Sequence, residues 1–340
     1  MTISYEAKRY SQGRLTVMGI ATLMIAWFHS NVNVPEGSLI QLWKLTGDLG
    51  VDMFLLASGM GVYLSLEKRS EFRGFMANRL RRVLPVFLIA TIPWFLYQEF
   101  RWGGSRDLVM AFLNASTLTY WFGSNLTCWY VSSILALYLV TPGYVKLWKK
   151  HPRLNAVVIG ILYVFGYVCV MQLRFLDHLG IFLLRIPVYL MGLYLGKAVK
   201  EERIFRIPLL LAGAVAALMA ALVVTAMNHS SALIPWSMKY FAYGPLAVML
   251  SFLLSYLPAG KVIGFLGRRS LEIYLLYEKT IEYMSYTRPF WVLFSDTNVR
   301  FALVAFAIAL VGAEILARMG SLILKIRIPR KLLDKKEHAQ

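Results

Sequence analysis

Residues 48–66 read DLGVDMFLLASGMGVYLSL. From Met53 to Leu66 there is no charged side chain. At ~1.5 Å per residue such a helix reaches about 28 Å, close to the ~30 Å of a bilayer's hydrocarbon core. Runs of the same kind recur at about 15–33, 83–99, 128–145, 154–173, 179–196, 205–227, 236–257, 262–282 and 300–324. The fold class that follows is all-α: a polytopic bundle of about ten membrane-crossing helices in one domain, residues 1–340. A weaker run, DLVMAFLNASTLTYWF (107–122), reads as interfacial or re-entrant.

Composition points the same way. Of 340 residues, 58% are hydrophobic and 16% charged, with mean hydropathy +0.58. Soluble domains carry about 25% charged residues. A soluble globule this apolar would expose large sticky patches, and a disordered chain would lack such apolar mass. Cys128 and Cys169 both fall in apolar runs, too few for a disulfide framework and without metal-ligand spacing. Residues 1–14 are polar, so no cleavable signal peptide is expected ahead of the first run.

The chain carries 36 Lys and Arg against 18 Asp and Glu, net +18. Their distribution argues for topology and anionic lipid rather than nucleic acid. Basic clusters such as Lys8–Arg9–Arg14, Lys68–Arg82, Lys146–Arg153, Lys197–Arg206, Lys261–Arg269 and the tail from Lys325 fall in alternate loops. The intervening loops hold only Lys44, Arg101, Arg106, Arg174 and Arg288. The positive-inside rule then puts both termini, including a basic tail at about 325–340, in the cytoplasm.

Polar groups at membrane depth are costly, and so are the default functional candidates. His29 closes the first run, 15 residues past Arg14 and near the outer face. It reads as a general base or as an interfacial histidine bonded to a loop. Asp52 lies at the same predicted depth, where it either orients that histidine or caps a helix. Arg79, Arg81 and Arg82 open the third run; beyond topology, guanidinium forks suit an anionic phosphate ligand. Arg185, beside Pro187, is an isolated cation that pairs with an acid or stabilises an oxyanion. Glu314–Arg318 and Arg268–Glu272 are spaced i,i+4 and read as structural pairs. Trp129, Tyr130, Trp236 and Trp291 sit near predicted interfaces, as belt residues or a glycan platform.

Several segments, in order, resemble membrane-bound acyltransferase family 3, the bacterial O-acyltransferases of sugars and exported polymers. GIATLMIAWFH (19–29) is similar to that family's first helix, GVDMFLLASGMGVYL (50–64) to its second, and NRLRRVLP (78–85) to its arginine motif. CWYVSSILALYLVTP (128–142), RIPVYLMGLYLG (185–196) and LGRRSLEIYLLYEKTI (266–281) resemble later family segments. Two positions depart from the pattern. Met18 stands where the family usually has a basic residue, with Arg14 one turn earlier; Tyr277 stands where it commonly has histidine.

The resemblance implies an acyl-CoA co-substrate, usually acetyl-CoA, held at Arg79, Arg81 and Arg82, with no tightly bound cofactor or metal. The acceptor would be a glycan or polysaccharide hydroxyl at the outer face of a bacterial cytoplasmic (inner) membrane. His29, Asp52 and Arg185 would carry the chemistry, and Trp129, Tyr130, Tyr274, Tyr277 and Glu278 would contact the acceptor. The lipid bilayer is the expected surrounding, nucleic acid is not an expected partner, and homo-oligomerisation stays open. A transporter, flippase or polymer exporter is the alternative, since interior charges such as Arg185 and Glu314 would serve that too.

Overall fold

The computed structural model describes the chain apart from residues 1, 69–70, 102–107, 123–126, 128, 174–176, 209–212, 214, 219, 222–232, 288–296 and 326–340; the side chains of Ile3, Met171, Asp177, 233–238 and Lys325 are also outside the description. Cys128, Trp291 and nearly all of the basic tail therefore lie outside the described residues, as does the Trp236 side chain.

The described elements run β1 (Thr2–Glu6), α1 (Ala7–His29), α2 (Leu39–Leu45), α3 (Leu49–Lys68), α4 (Phe72–Arg101), α5 (Leu108–Ala115), α6 (Leu118–Trp121) and α7 (Trp129–Lys150). They continue with α8 (Leu154–Gln172), α9 (Asp177–Lys200), β2 (Ile204–Pro208), α10 (Leu233–Leu254), α11 (Lys261–Arg268), α12 (Ser270–Tyr286) and α13 (Val299–Lys325). Among the described residues the fold is all-α with one two-stranded ribbon. Five described helices, α3, α4, α7, α9 and α13, are long and apolar enough to cross a membrane.

Three sequence expectations change. The apolar run 262–282 is not one helix: it breaks at Arg269 into α11 and α12. Of the run 205–227, the opening residues belong to strand β2, and most of the rest lies outside the described residues. Helices α1 and α4 start well before the apolar runs, at Ala7 and Phe72, so Arg14, Arg79 and Arg82 sit on helices rather than in loops. Arg, Lys and Glu are good helix formers and carry a helix past the hydrocarbon edge. The 107–122 segment forms α5 and α6, too short to cross, joined through Thr117 at φ +68°.

Helices α3 and α9 form the centre. Their backbones approach through glycines: a methyl on Gly59 would strike the Tyr189 carbonyl, and one on Gly192 would strike that of Leu56. Small residues at such crossings give the close van der Waals contact that joins helices in lipid. At one end of this pair, Glu67 of α3 is clasped by Lys149 of α7 and Lys200 of α9. Helix α1 packs against α3 and α11, and α12 fills the space between α1, α4 and α13. Strands β1 and β2 pair antiparallel, Thr2 opposite Pro208. Tyr5 stacks on Phe252 at 4.0 Å and its hydroxyl meets Ser255 Oγ at 2.7 Å, fixing the ribbon to α10 and the turn after it.

Candidate active site

His29 is the last residue of α1. Ser30 ends the helix in extended backbone, its hydroxyl donating to the Trp27 carbonyl at 2.7 Å. The imidazole is half-buried against the edge of Phe28, and its Nδ1 lies 3.8 Å from Glu278 Oε1 on α12. Helical spacing puts Ser270, Tyr274, Tyr277 and Glu278 on the α12 face that meets α1. These residues and Thr22 bound a tight slot of about 10 Å³ beside His29, room for roughly one water.

The carboxylate beside His29 is therefore Glu278, not Asp52. No hydrogen bond joins His29 to Asp52. Asp52, in the first turn of α3, is fully buried and its Oδ2 accepts from Arg185 Nη1 at 2.5 Å. Arg185 Nη2 also donates to Asp48 Oδ2 at 3.0 Å. Lys239 Nζ of α10 lies 3.0 Å from the same oxygen, and the Tyr243 hydroxyl donates to Asp48 Oδ1 at 2.7 Å. The guanidinium is flanked by the rings of Trp129 and Tyr240, at 5.3 and 4.9 Å.

This is a buried cluster of two acidic and two basic side chains whose formal charges balance. A buried carboxylate gains far more from a guanidinium than from an imidazole, so Asp52 turns to Arg185. The roles expected of Asp52 as histidine orienter and of Arg185 as oxyanion donor do not match this geometry. Trp129 is engaged with Arg185 rather than lining the His29 slot. Sequence reading missed Asp48, Lys239 and Tyr243. The available signals were Asp48 four residues before Asp52 and Lys239 as a cation inside an apolar run.

A second cavity, of about 80 Å³, is lined by Arg14, Arg79 and Arg82 together with Met18, Tyr130 and Tyr138. Arg79 donates to the Gly61 carbonyl at 2.7 Å and lies over the rings of Phe75 and Tyr138. Arg79 and Arg82, three apart on α4, share a face. Arg81 is turned away by the 3.6-residue period, is exposed, and does not line the cavity. Arg14 does line it, beside Met18, so a cation occupies this wall although the family's basic position is a methionine.

Phe54, Ser270 and Tyr274 line both this cavity and the His29 slot. The two spaces are thus neighbours through a shared wall. Tyr130 stands at that wall, edge-on to Tyr274 at 5.4 Å and within 3.4 Å of Ser58 Oγ through its hydroxyl. Tyr277 and Glu278 line the slot, Tyr277 buried with its ring against Phe306. The Glu314–Arg318 pair forms as expected, at 2.8 Å, and Arg269 adds a second cation at 2.9 Å. The Arg268–Glu272 pair does not form, because the helix breaks between them and i,i+4 spacing places side chains together only within one helix.

The model of acyltransferase family 3, described as an acyltransferase domain, matches residues 18–318, most of the chain. The chain belongs to that family. No curated protein and no solved structure matches it. With its apolar helices, the protein is a multi-pass membrane acyltransferase.

Proposed function

We propose that this acyltransferase moves an acyl group, acetyl in the simplest case, from acyl-CoA to a hydroxyl of an exported glycan, in a bacterial cytoplasmic membrane. The observation that carries this reading is the shared wall of Phe54, Ser270 and Tyr274, which joins a cavity of three arginines to the slot of His29. Guanidinium groups suit the phosphates of CoA. The pantetheine arm would then extend along that wall and bring the thioester to His29.

In this reading His29 takes the proton of the acceptor hydroxyl as the oxygen attacks the thioester carbonyl. Glu278, at 3.8 Å from Nδ1, faces the positive charge that the ring gains. The carbonyl oxygen becomes an oxyanion, and Ser270 and Tyr274, which line both spaces, are the residues with hydroxyls to offer it. Collapse breaks the C–S bond; the sulfur leaves and the histidinium returns the proton to it, so the ring ends neutral. Arg185 takes no part, being committed to Asp48 and Asp52.

The test uses the purified protein in nanodiscs, radiolabelled acetyl-CoA, and membranes of the native host as acceptor. Label passing to glycan with wild-type protein and not with His29→Ala supports the reading. Equal labelling with both would overturn His29 as base, and no labelling with either would overturn the donor.

A further inference from the structure

An apolar groove of about 640 Å³ runs between α1 and α13, floored by Tyr277. Its lips, Leu23 and Leu303, are exposed, as residues facing lipid tails would be. Trp27 and Trp43, with ring centroids 5.8 Å apart, both line it, and the Trp27 indole N–H is buried and unpaired. Ala26 and Tyr277 line both this groove and the His29 slot. The arginine cavity meets the same slot through different residues, Phe54, Ser270 and Tyr274.

The slot therefore has two approaches of opposite chemistry. The cationic one fits the polyanionic donor. The other is walled mainly by hydrocarbon and aromatic rings, with Ser30, Thr46 and the Trp27 indole N–H as its few polar groups, so a bare sugar would give up more hydrogen bonds to water there than it regained. An aliphatic chain, by contrast, is at home in it and is at high concentration in the bilayer. Because the donor enters from the other side, the groove serves the second substrate. Resting on the acyltransferase reading above, we infer that the acceptor is a glycolipid. Its aliphatic tail lies in the groove between α1 and α13, and its sugar head reaches His29 past Ala26 and Tyr277.

The experiment follows radiolabel from acetyl-CoA into two fractions of host membranes, the solvent-extractable glycolipids and the water-soluble polysaccharide. Native mass spectrometry of the purified protein identifies the lipid it retains. Ala302→Trp fills the groove away from the slot, and Leu23→Trp does so from the opposite wall should the first variant fail to fold. Label is expected in the glycolipid fraction with wild-type protein, falling about tenfold or more in the variants as tail binding is lost. Donor binding should be unchanged, and the retained lipid should carry sugar. Label confined to the water-soluble fraction, or glycolipid labelling untouched by the filled groove, would overturn the glycolipid acceptor while leaving the acyltransferase reading intact. Absence of label in both fractions would count against the donor assignment instead. The retained lipid then decides the groove: a sugar-bearing lipid lost in the variants supports it, and a plain phospholipid bound equally by all overturns it.

Discussion

Two acidic residues separate cleanly at the scale of single side chains. Glu278 faces His29, whereas Asp52 faces Arg185. His29→Ala should lower kcat by about 10²–10⁴-fold, the range general-base catalysis supplies, with normal yield and melting temperature. Glu278→Gln should cost less, because the base stays and only its counter-charge goes; steady-state kinetics on both variants checks the order. Asp52→Ala should act on stability, by about 3–5 kcal/mol, since it leaves part of a buried guanidinium uncompensated. Its melting temperature in detergent should fall sharply, and an Asp52→Ala protein as stable as wild type would contradict the cluster's role. Among the arginines, Arg14→Gln and Arg82→Gln should weaken acyl-CoA binding, while Arg81→Gln should leave it alone, as read by calorimetry. The placement of His29 at a helix end and of Arg79 and Arg82 on one helical face was legible in the sequence, because local spacing encodes both. Glu278 opposite His29, and Asp48 with Lys239, were not: these partners are separated by 190 residues or more, and no local spacing encodes a contact made only by tertiary packing.

At the level of helices, the crossing of α3 and α9 sets the position of everything else. It holds Asp52 against Arg185 and leaves no room at Gly59 or Gly192. Gly192→Ala should force the helices apart at a cost of about 1–3 kcal/mol, the usual range for overpacking. Earlier aggregation on heating, followed by fluorescence-detected size exclusion, is the expected sign. Helix existence was readable from apolar run length for α3, α7, α8, α9 and α13 to within a few residues. The break at Arg269 was not, because LGRRSLEIYLLYEKTI contains neither proline nor an interior glycine beyond Gly267 to announce it. That break is set by packing: α11 lies against α1, where Gly267 meets the Leu15 carbonyl, while α12 turns to face α13.

Across the whole molecule, apolar side chains such as Val140, Val164, Leu303 and Val311 remain exposed on the outer surface of α7, α8 and α13. In water that surface would aggregate; in a bilayer it is simply solvated. The basic clusters recur at alternate ends of the apolar runs, which by the positive-inside rule predicts an even number of crossings with both ends on the cytoplasmic side. A reporter fused after Gln340 should then read as cytoplasmic, and a reading from the far side would mean an odd number of crossings.

The ribbon of β1 and β2 has a consequence for how the protein is made. Thr2–Glu6 leaves the ribosome before its partner Ile204–Pro208, which follows some two hundred residues later. At ~5–20 residues per second, the first strand waits about 10–40 s with an open edge while α1 to α9 are being inserted. An open edge is a template for wrong pairing. The arrival of β2 thus closes a seam between β1 and the end of α9, and the Tyr5–Ser255 contact is sealed only after α10 has followed.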